Sequence, residues 1–357
     1  MTATRIAVAG DRPYEVVVGA GVLGELTAMV GPAAQTVVVI YAAGLASLAG
    51  PVCGALSEAG YRVRQAAVPD GEAAKEIGVA AALWSDLAAA GVGRADAIVA
   101  VGGGAVTDVA GFVAATWLRG VRIVLVPTTL LGMTDAAIGG KTGINTAAGK
   151  NLVGTFSPPA GVLADVRSLA TLRRADYASG MAEVIKAGFI ADPVILDLVE
   201  ADPAGAGRPG GPHERELIER AIAMKAAVVA ADLREAGRRE FLNYGHTLGH
   251  AIEHAEDYTI RHGDAVSIGM CFAASLGRLA GRLDPDTAAR HREILTAIGL
   301  PTRYEAGAWP RLREAMTVDK KARAARLRFI VLDGLAQPAV LADPAEELLE
   351  QAYAEVS

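Results

Sequence analysis

The sequence predicts an α/β domain followed by a mostly helical one, and three observations carry that expectation. The chain's 357 residues exceed what one hydrophobic core usually organises and suit two. Through the first half, short β-branched runs alternate with helical patterns, which argues for a largely parallel sheet with helices on both faces. From about Ala170 onward, long helical segments with few β-branched runs take over. The division is therefore expected as one domain over 1–170 and another over 171–357.

Arg5 to Val8 and Tyr14 to Val18 read as an opening pair of strands. Thr36 to Ile40, Arg62 to Val68, Ala97 to Val101 and Arg122 to Val126 follow, with helical patterns between them. Thr36 to Leu56 lacks charge and is long enough to span a bilayer. Its run Val37-Val38-Val39-Ile40, however, gives way to Gly44, Gly50 and Pro51. A strand, a turn and an Ala-rich buried helix explain it better than a membrane span. Asp202 to Pro212, rich in Gly and Pro, reads as a loop between helices. Leu327 to Leu332 and Ala339 to Leu341 form a late candidate hairpin. No internal repeat or low-complexity tract interrupts the pattern.

The chain is 52% hydrophobic but only 5% aromatic, and much of the excess is alanine. The mean hydropathy of +0.31 thus reflects small side chains. No signal peptide is expected, because the N-terminus runs directly into strand-like segments. Cys53 and Cys271 both lie among apolar residues, which suits buried thiols in a reducing compartment. A soluble cytoplasmic protein is the expectation. The net charge of −6 and the lack of a long basic run argue against a nucleic-acid surface. Any anionic ligand must be met by local lysines and arginines.

Ile98 to Val101 leads into Gly102-Gly103-Gly104 and a helical pattern from Ala105 to Trp117. Glycines at a strand-to-helix turn let the backbone approach a pyrophosphate, and the helix start supplies amide donors. An ordinary tight turn would look the same. The spacing departs from G-x-G-x-x-G, and Tyr41 and Ala42, not an acidic residue, follow the strand ending at Ile40. Thr134 to Gly154 packs Asp135, Lys141, Thr142, Asn145, Lys150 and Asn151 among five glycines. Two lysines on such a backbone suit a phosphate or carboxylate site. The flanks Leu130-Leu131 and Leu152-Val153 are expected to be buried, which favours binding over a solvated loop.

Arg239, Asn243, His246, His250 and His254 recur at intervals of four, three, four and four, along one stripe of a helix. A solvated stripe would be built from Lys, Glu and Gln. His246 and His250 at i, i+4 could ligate one metal, although H-E-x-x-H and its general base are absent. A second possible set joins His246 to His262, which follows a turn, and to Glu183, with Lys186 one turn on in the segment Met181 to Ile190. Lys225 falls in the apolar stripe Ile218, Ile222, Lys225 and Val229. A cation there needs a partner or a ligand, unless it snorkels at a helix edge.

Together these segments resemble the 3-dehydroquinate synthase family of the sugar phosphate cyclase superfamily. The likeness is carried by Pro69-Asp70-Gly71-Glu72 with Lys75, GGGAVTDVAGFVAATWLRG from Gly102, and PTTLLGMTDAAIGGKTGIN from Pro127. It continues through GKNLVG from Gly149, GMAEVIKAGFI from Gly180, LNYGHTLGHAIE from Leu242, RHGDAVSIGM from Arg261, and Asp319-Lys320-Lys321. The resemblance implies a Rossmann-like NAD-binding domain and a C-terminal helical metal-binding domain. It implies zinc or cobalt on Glu183, His246 and His262. It places NAD on Asp70, Glu72, Lys75, Gly102, Gly103, Gly104, Thr107, Asp108, Thr128 and Thr129, with Asp135, Lys141 and Lys150 also near the cofactor.

The same likeness surrounds the substrate with Asp135, Lys141, Lys150, Asn151, Lys186, Lys225, Arg239, Asn243, His250 and one of Lys320 or Lys321. Lys225, Arg239 and Asn243 would hold its carboxylate and hydroxyls, and His250 would relay the C5 hydroxyl proton. Arg119 would reach the substrate phosphate from the neighbouring subunit of a homodimer. The implied reaction turns 3-deoxy-D-arabino-heptulosonate 7-phosphate into 3-dehydroquinate and phosphate, a shikimate-pathway step. It proceeds by transient oxidation, phosphate elimination, reduction and intramolecular aldol closure. Rival expectations are a cyclase of the aminodehydroquinate synthase type, a metal-dependent polyol dehydrogenase, a zinc hydrolase, and a non-catalytic sugar-phosphate sensor.

Overall fold

The computed structural model describes residues 3–147, 149–233, 237–321 and 327–357, with the backbone alone for 317–321. The chain divides into two units, Met1–Leu172 with Lys225–Arg234 and Arg173–Met224 with Glu235–Ser357. This differs from the expected cut after residue 170, because Lys225–Arg234 belongs with the first unit.

Seven strands of the first unit form one sheet among the described residues: β1 (Thr4–Val8), β2 (Tyr14–Gly19), β3 (Thr36–Ala42), β4 (Arg62–Val68), β5 (Ala97–Gly102), β6 (Arg122–Pro127) and β9 (Gly161–Asp165). Their order is β1-β2-β9-β6-β5-β3-β4. Only β1 and β2 pair antiparallel, with Ile6 opposite Val16; the other neighbours run parallel. Val37 to Ile40 in β3 and Ala97 to Val101 in β5 are buried, as unbroken apolar runs in a two-faced parallel sheet should be. At the edge, β4 carries Arg62, Arg64 and Gln65, polar side chains that suit an unpaired flank. Helices α1 (Leu26–Val30), α2 (Ala46–Glu58), α3 (Ile77–Ala89) and α4 (Gly104–Thr116) connect the strands. Val52 and Leu56 of α2 pack with Val37, Val39 and Val99 in the core. The uncharged stretch from Thr36 is thus β3 followed by α2, and no helix among the described residues is long and apolar enough to cross a membrane.

The glycine-dense segment folds as an antiparallel hairpin, β7 (Lys141–Thr146) with β8 (Gly149–Phe156), in which Gly143 faces Gly154. A Cβ on Gly154 would stand 2.2 Å from the Thr142 carbonyl oxygen, so the pair needs glycine for close approach rather than for a loop. The expected burial of Leu152 and Val153 is corrected: they are 63% and 43% exposed.

The second unit is built around two buried helices, α5 (Arg174–Ile190) and α10 (His262–Leu279). Around them lie α6 (Val194–Ala201), α7 (Pro203–Ala206), α8 (Glu214–Ala231, in this unit as far as Met224), α9 (His246–Ala255), α11 (Pro285–Ala297), α12 (Trp309–Lys321) and α13 (Glu346–Glu355). The stretch expected as a loop from Asp202 contains α7, whose first turn Asp202 caps through the Gly205 amide at 3.0 Å. The late hairpin forms as β10 (Arg328–Leu332) against β11 (Pro338–Ala342).

The single helix expected from Arg239 to His254 does not form. Arg238–Asn243 is a 3-10 turn, and Gly245 at φ 79 breaks the chain before α9 starts at His246. A Cβ on Gly245 would stand 2.8 Å from the Met270 amide nitrogen, and one on Gly263 only 1.8 Å from the Ser179 carbonyl oxygen. These two glycines let α9 and α5 press against α10.

Candidate functional site

Within the second unit, Glu183 projects from α5 in a stretch buried from Tyr177 to Ile190. Its Oε2 lies 2.5 Å from Lys186 Nζ, which also donates to the Leu242 carbonyl at 2.6 Å. Its Oε1 is buried and receives no hydrogen bond among the described residues. Two imidazole nitrogens face that oxygen, His246 Nε2 at 3.4 Å and His262 Nε2 at 3.6 Å. His246 and His262 are each the first residue of a helix, so the packing of α9 and α10 on α5 fixes their positions.

His246 Nδ1 lies 3.0 Å from the Tyr244 carbonyl, which can only accept, so Nδ1 carries the proton and Nε2 the lone pair. Burial first, then the charge of Lys186, hold the His246 pKa well below its ordinary value, and the ring is neutral. Burial alone would raise the Glu183 carboxyl, but Lys186 and the two imidazoles keep it well below the usual carboxylate range. A lone pair of a neutral imidazole therefore confronts a carboxylate oxygen, an unfavourable meeting of two acceptors that a cation between them would reverse. Bonds of about 2.0–2.1 Å at tetrahedral angles put donor atoms about 3.3–3.4 Å apart, close to the spacing observed. Burial would lower the His262 pKa, yet the nearby carboxylates of Glu183 and Glu253 raise it to about 10. A bound cation would take that proton's place. Two imidazoles and a carboxylate suit a divalent metal with open positions.

Within the first unit, β5 ends at Gly102 and α4 starts after Gly103, with no side chain capping the helix. A Cβ on Gly102 would meet Val106 at 2.7 Å, and one on Gly104 would meet Ala136 Cβ at 3.0 Å. The Thr107 hydroxyl donates to the Gly104 carbonyl at 2.9 Å, the Thr128 amide to the Gly102 carbonyl at 2.9 Å, and Thr129 Oγ1 accepts from the Gly132 amide at 3.0 Å. Bare amides at a helix start, reached over glycines at the carboxyl end of a parallel strand, fit the pyrophosphate of a dinucleotide.

A polar network continues from that turn. Buried Lys75 donates to Asp108 Oδ2 at 2.7 Å and to Asn151 Oδ1. Burial pushes the Asp108 carboxyl up to about 6 against the pull of Lys75. Glu72 accepts from Asn145 Nδ2 at 2.8 Å and has Lys150 Nζ at 3.9 Å, while Asn145 Oδ1 accepts from the Asn151 amide at 3.0 Å. Asp70 accepts from the Gly44 amide at 3.1 Å. Lys225, only 7% exposed, donates to both the carbonyl and the carboxylate of Asp135, so the cation in the apolar stripe has its partner. Lys141 opens β7 on an exposed face. Arg119 stands on an exposed turn beside Leu118, both at positive φ.

The i, i+4 pair His246 and His250 does not fall in one donor group. Among the described residues, ligand atoms gather as Glu183, His246 and His262, and separately as His250, Glu253 and His262. The His250 ring is exposed, 5.2 Å from that of His246 and 6.2 Å from that of His262. Arg239 is buried in its 3-10 turn and Asn243 is exposed at the end of it. The side chains of Lys320 and Lys321 lie outside the described residues. Sequence reasoning missed Glu253, although it lies seven residues beyond His246 and returns to nearly the same helix face, closer than His254 does.

Residues 65–179 match a family model described as 3-dehydroquinate synthase N-terminal, and 180–322 one described as 3-dehydroquinate synthase C-terminal. The chain is 67% identical over 358 residues to the 3-dehydroquinate synthase of Thermobifida fusca, covering 100% of this chain and 97% of that one. It is 60% identical to the enzyme of that name from Streptomyces coelicolor, over 99% of this chain and 98% of that one. Among solved structures, 2-deoxy-scyllo-inosose synthase complexed with carbaglucose-6-phosphate, NAD+ and Co2+ is 28% identical, covers 100% of both chains and superposes with a TM-score of 0.89. The 2-epi-5-epi-valiolone synthase of Streptomyces hygroscopicus with NAD+ and Zn2+ bound is 26% identical over 99% of both chains, with a TM-score of 0.88.

Proposed function

The chain belongs to the 3-dehydroquinate synthase family, and on that premise we propose that its residues convert 3-deoxy-D-arabino-heptulosonate 7-phosphate to 3-dehydroquinate and phosphate, with NAD and zinc or cobalt bound. The observation that carries the reading is the buried, acceptor-only meeting of Glu183 Oε1 with His246 Nε2.

Glu183, His246 and His262 hold the divalent cation. Asp70, Glu72, Lys75, Thr107, Asp108, Thr128, Thr129 and the glycine turn at 102–104 hold NAD. Once bound, NAD supplies a reversible hydride acceptor and the cation a Lewis acid for substrate oxygens.

The protein's own side chains do the rest. His250, exposed beside the ligand rings, takes the C5 hydroxyl proton and later returns it. Lys186 sets its charge against Glu183 and the substrate oxygens. Lys225 and, in the second unit, Arg239 and Asn243 offer charge-assisted and neutral hydrogen bonds to the carboxylate and hydroxyls of the substrate. Lys141, Lys150 and Asn151 steady the phosphate. With a ketone at C5 the neighbouring C–H is acidified; its proton passes to an oxygen of the substrate's own phosphate as the ester C–O bond breaks and its electron pair leaves with that phosphate.

The active form is a homodimer in which Arg119 serves the partner's phosphate. Support for a second copy comes from exposed apolar side chains: Leu118 is 39% exposed, Leu152 63%, Val153 43% and Phe156 42%. The cytoplasm is the proposed location, and two buried free thiols, Cys53 and Cys271, suit it.

Prolonged chelation should abolish phosphate release, and added zinc or cobalt should restore it. His246→Ala should lose both the ion and turnover while keeping its circular dichroism spectrum. Full turnover by a preparation shown by elemental analysis to be metal-free would refute the metal site.

A further inference from the structure

His246 and His262 are both helix-opening residues with a ring nitrogen aimed at Glu183 Oε1, but their far nitrogens are anchored differently. His246 Nδ1–H donates to a main-chain carbonyl, that of Tyr244, which the fold itself fixes. His262 Nδ1 instead faces a side chain, Glu253 Oε2 at 3.3 Å. Its own side chain keeps 25% of its surface exposed, against 11% for His246, so packing restrains it less. Glu253 is buried on α9, two turns beyond His246 on nearly the same face. One helix thus supplies a ligand near its first turn and the anchor for another ligand near its third.

We infer that Glu253 is a positioning residue for the cation: by accepting the Nδ1–H of His262 it keeps the Nε2 lone pair of that ring directed at the space shared with Glu183 Oε1 and His246 Nε2. The inference rests on the metal site proposed above. A carboxylate behind a ligating imidazole fixes its tautomer and orientation and raises its basicity as a donor. The 3.3 Å separation is long for a charge-assisted bond. A cation drawing density from Nε2 makes Nδ1–H more acidic, so the contact should tighten on loading. Because Glu253 also lies within reach of His250, it carries a competing possibility, a second ion on His250, Glu253 and His262.

The full-length chain loaded with Co2+ tests this by the rate at which the ion passes to excess chromophoric chelator, with ion stoichiometry measured alongside. Glu253→Met should release Co2+ about ten- to hundredfold faster than the parent chain, in line with losses seen when such an anchor is removed. Glu253→Gln keeps an acceptor oxygen and should restore most of the retention. Should Glu253→Met not fold, Glu253→Asp withdraws the acceptor while keeping the charge, and carries the same expectation. Parent-like release from folded Glu253→Met or Glu253→Asp overturns the inference. So does equal loss in Glu253→Gln and Glu253→Met, which would make charge the cause. Two ions per chain, falling to one in Glu253→Met, would make Glu253 a ligand and overturn it too. His246→Ala separates the two readings: if it retains the ion, the metal site itself is wrong, whereas ion loss there with parent-like Glu253→Met defeats only the anchor.

Discussion

His291 is fully buried, stacked on Phe189 with ring centroids 3.4 Å apart. Its Nδ1–H donates to the Thr287 carbonyl at 2.8 Å, and its Nε2 accepts from the Tyr244 hydroxyl at 2.8 Å. Burial lowers its pKa to about 3, so the folded chain holds it neutral. An unfolded histidine protonates near pH 6.5; between that pH and about 3 the unfolded state therefore binds one more proton, and stability falls as pH falls. Urea titrations should show His291→Gln less dependent on pH across that window, the difference in slope approaching about 1.4 kcal/mol per pH unit. Parallel curves for the two chains would contradict this. Residue chemistry was legible in the sequence where a cation interrupts an apolar stripe, as for Lys225, whose partner is Asp135. Whether Arg239 and Asn243 continue the face of His246 was not, because it depends on Gly245 ending one segment and starting the next.

The hairpin of β7 and β8 is the element the sequence concealed. Its Gly143–Gly154 pair imitates a flexible loop in composition, and β8 is exposed over most of its length, so no alternation of polar and apolar residues reveals it. The β-branched runs of β3, β5 and β6 were legible because burial on both faces demands continuous apolar sequence. In the proposed homodimer a second copy would cover Leu152, Val153 and Phe156, which are exposed on their strand. If Arg119 acts across the proposed dimer, Arg119→Ala and His246→Ala chains, each inactive alone, should complement when unfolded together and refolded. One site of each mixed dimer is then intact, giving about a quarter of the parent activity for random pairing. No recovery in dimers shown to be mixed would contradict the proposed role of Arg119.

At the scale of the whole chain, the change from alternating strands and helices to mostly helical segments suggested two units, and the first of the two compact units runs from Met1 to Leu172 before Lys225–Arg234 rejoins it. The return of Lys225–Arg234 to the first unit was not legible, because α8 continues unbroken through Met224 and nothing in its periodicity marks the passage. The first unit carries the strand-to-helix turn suited to NAD, and the second the buried donor set suited to zinc or cobalt. What separates a cyclase from a dehydrogenase is whether the hydride taken from C5 goes back to it. Following inorganic phosphate and nicotinamide absorbance together, with 3-deoxy-D-arabino-heptulosonate 7-phosphate as substrate, tests this most directly. The account predicts one phosphate released per substrate consumed and no sustained rise in absorbance, whereas NADH accumulating in step with substrate loss would contradict it.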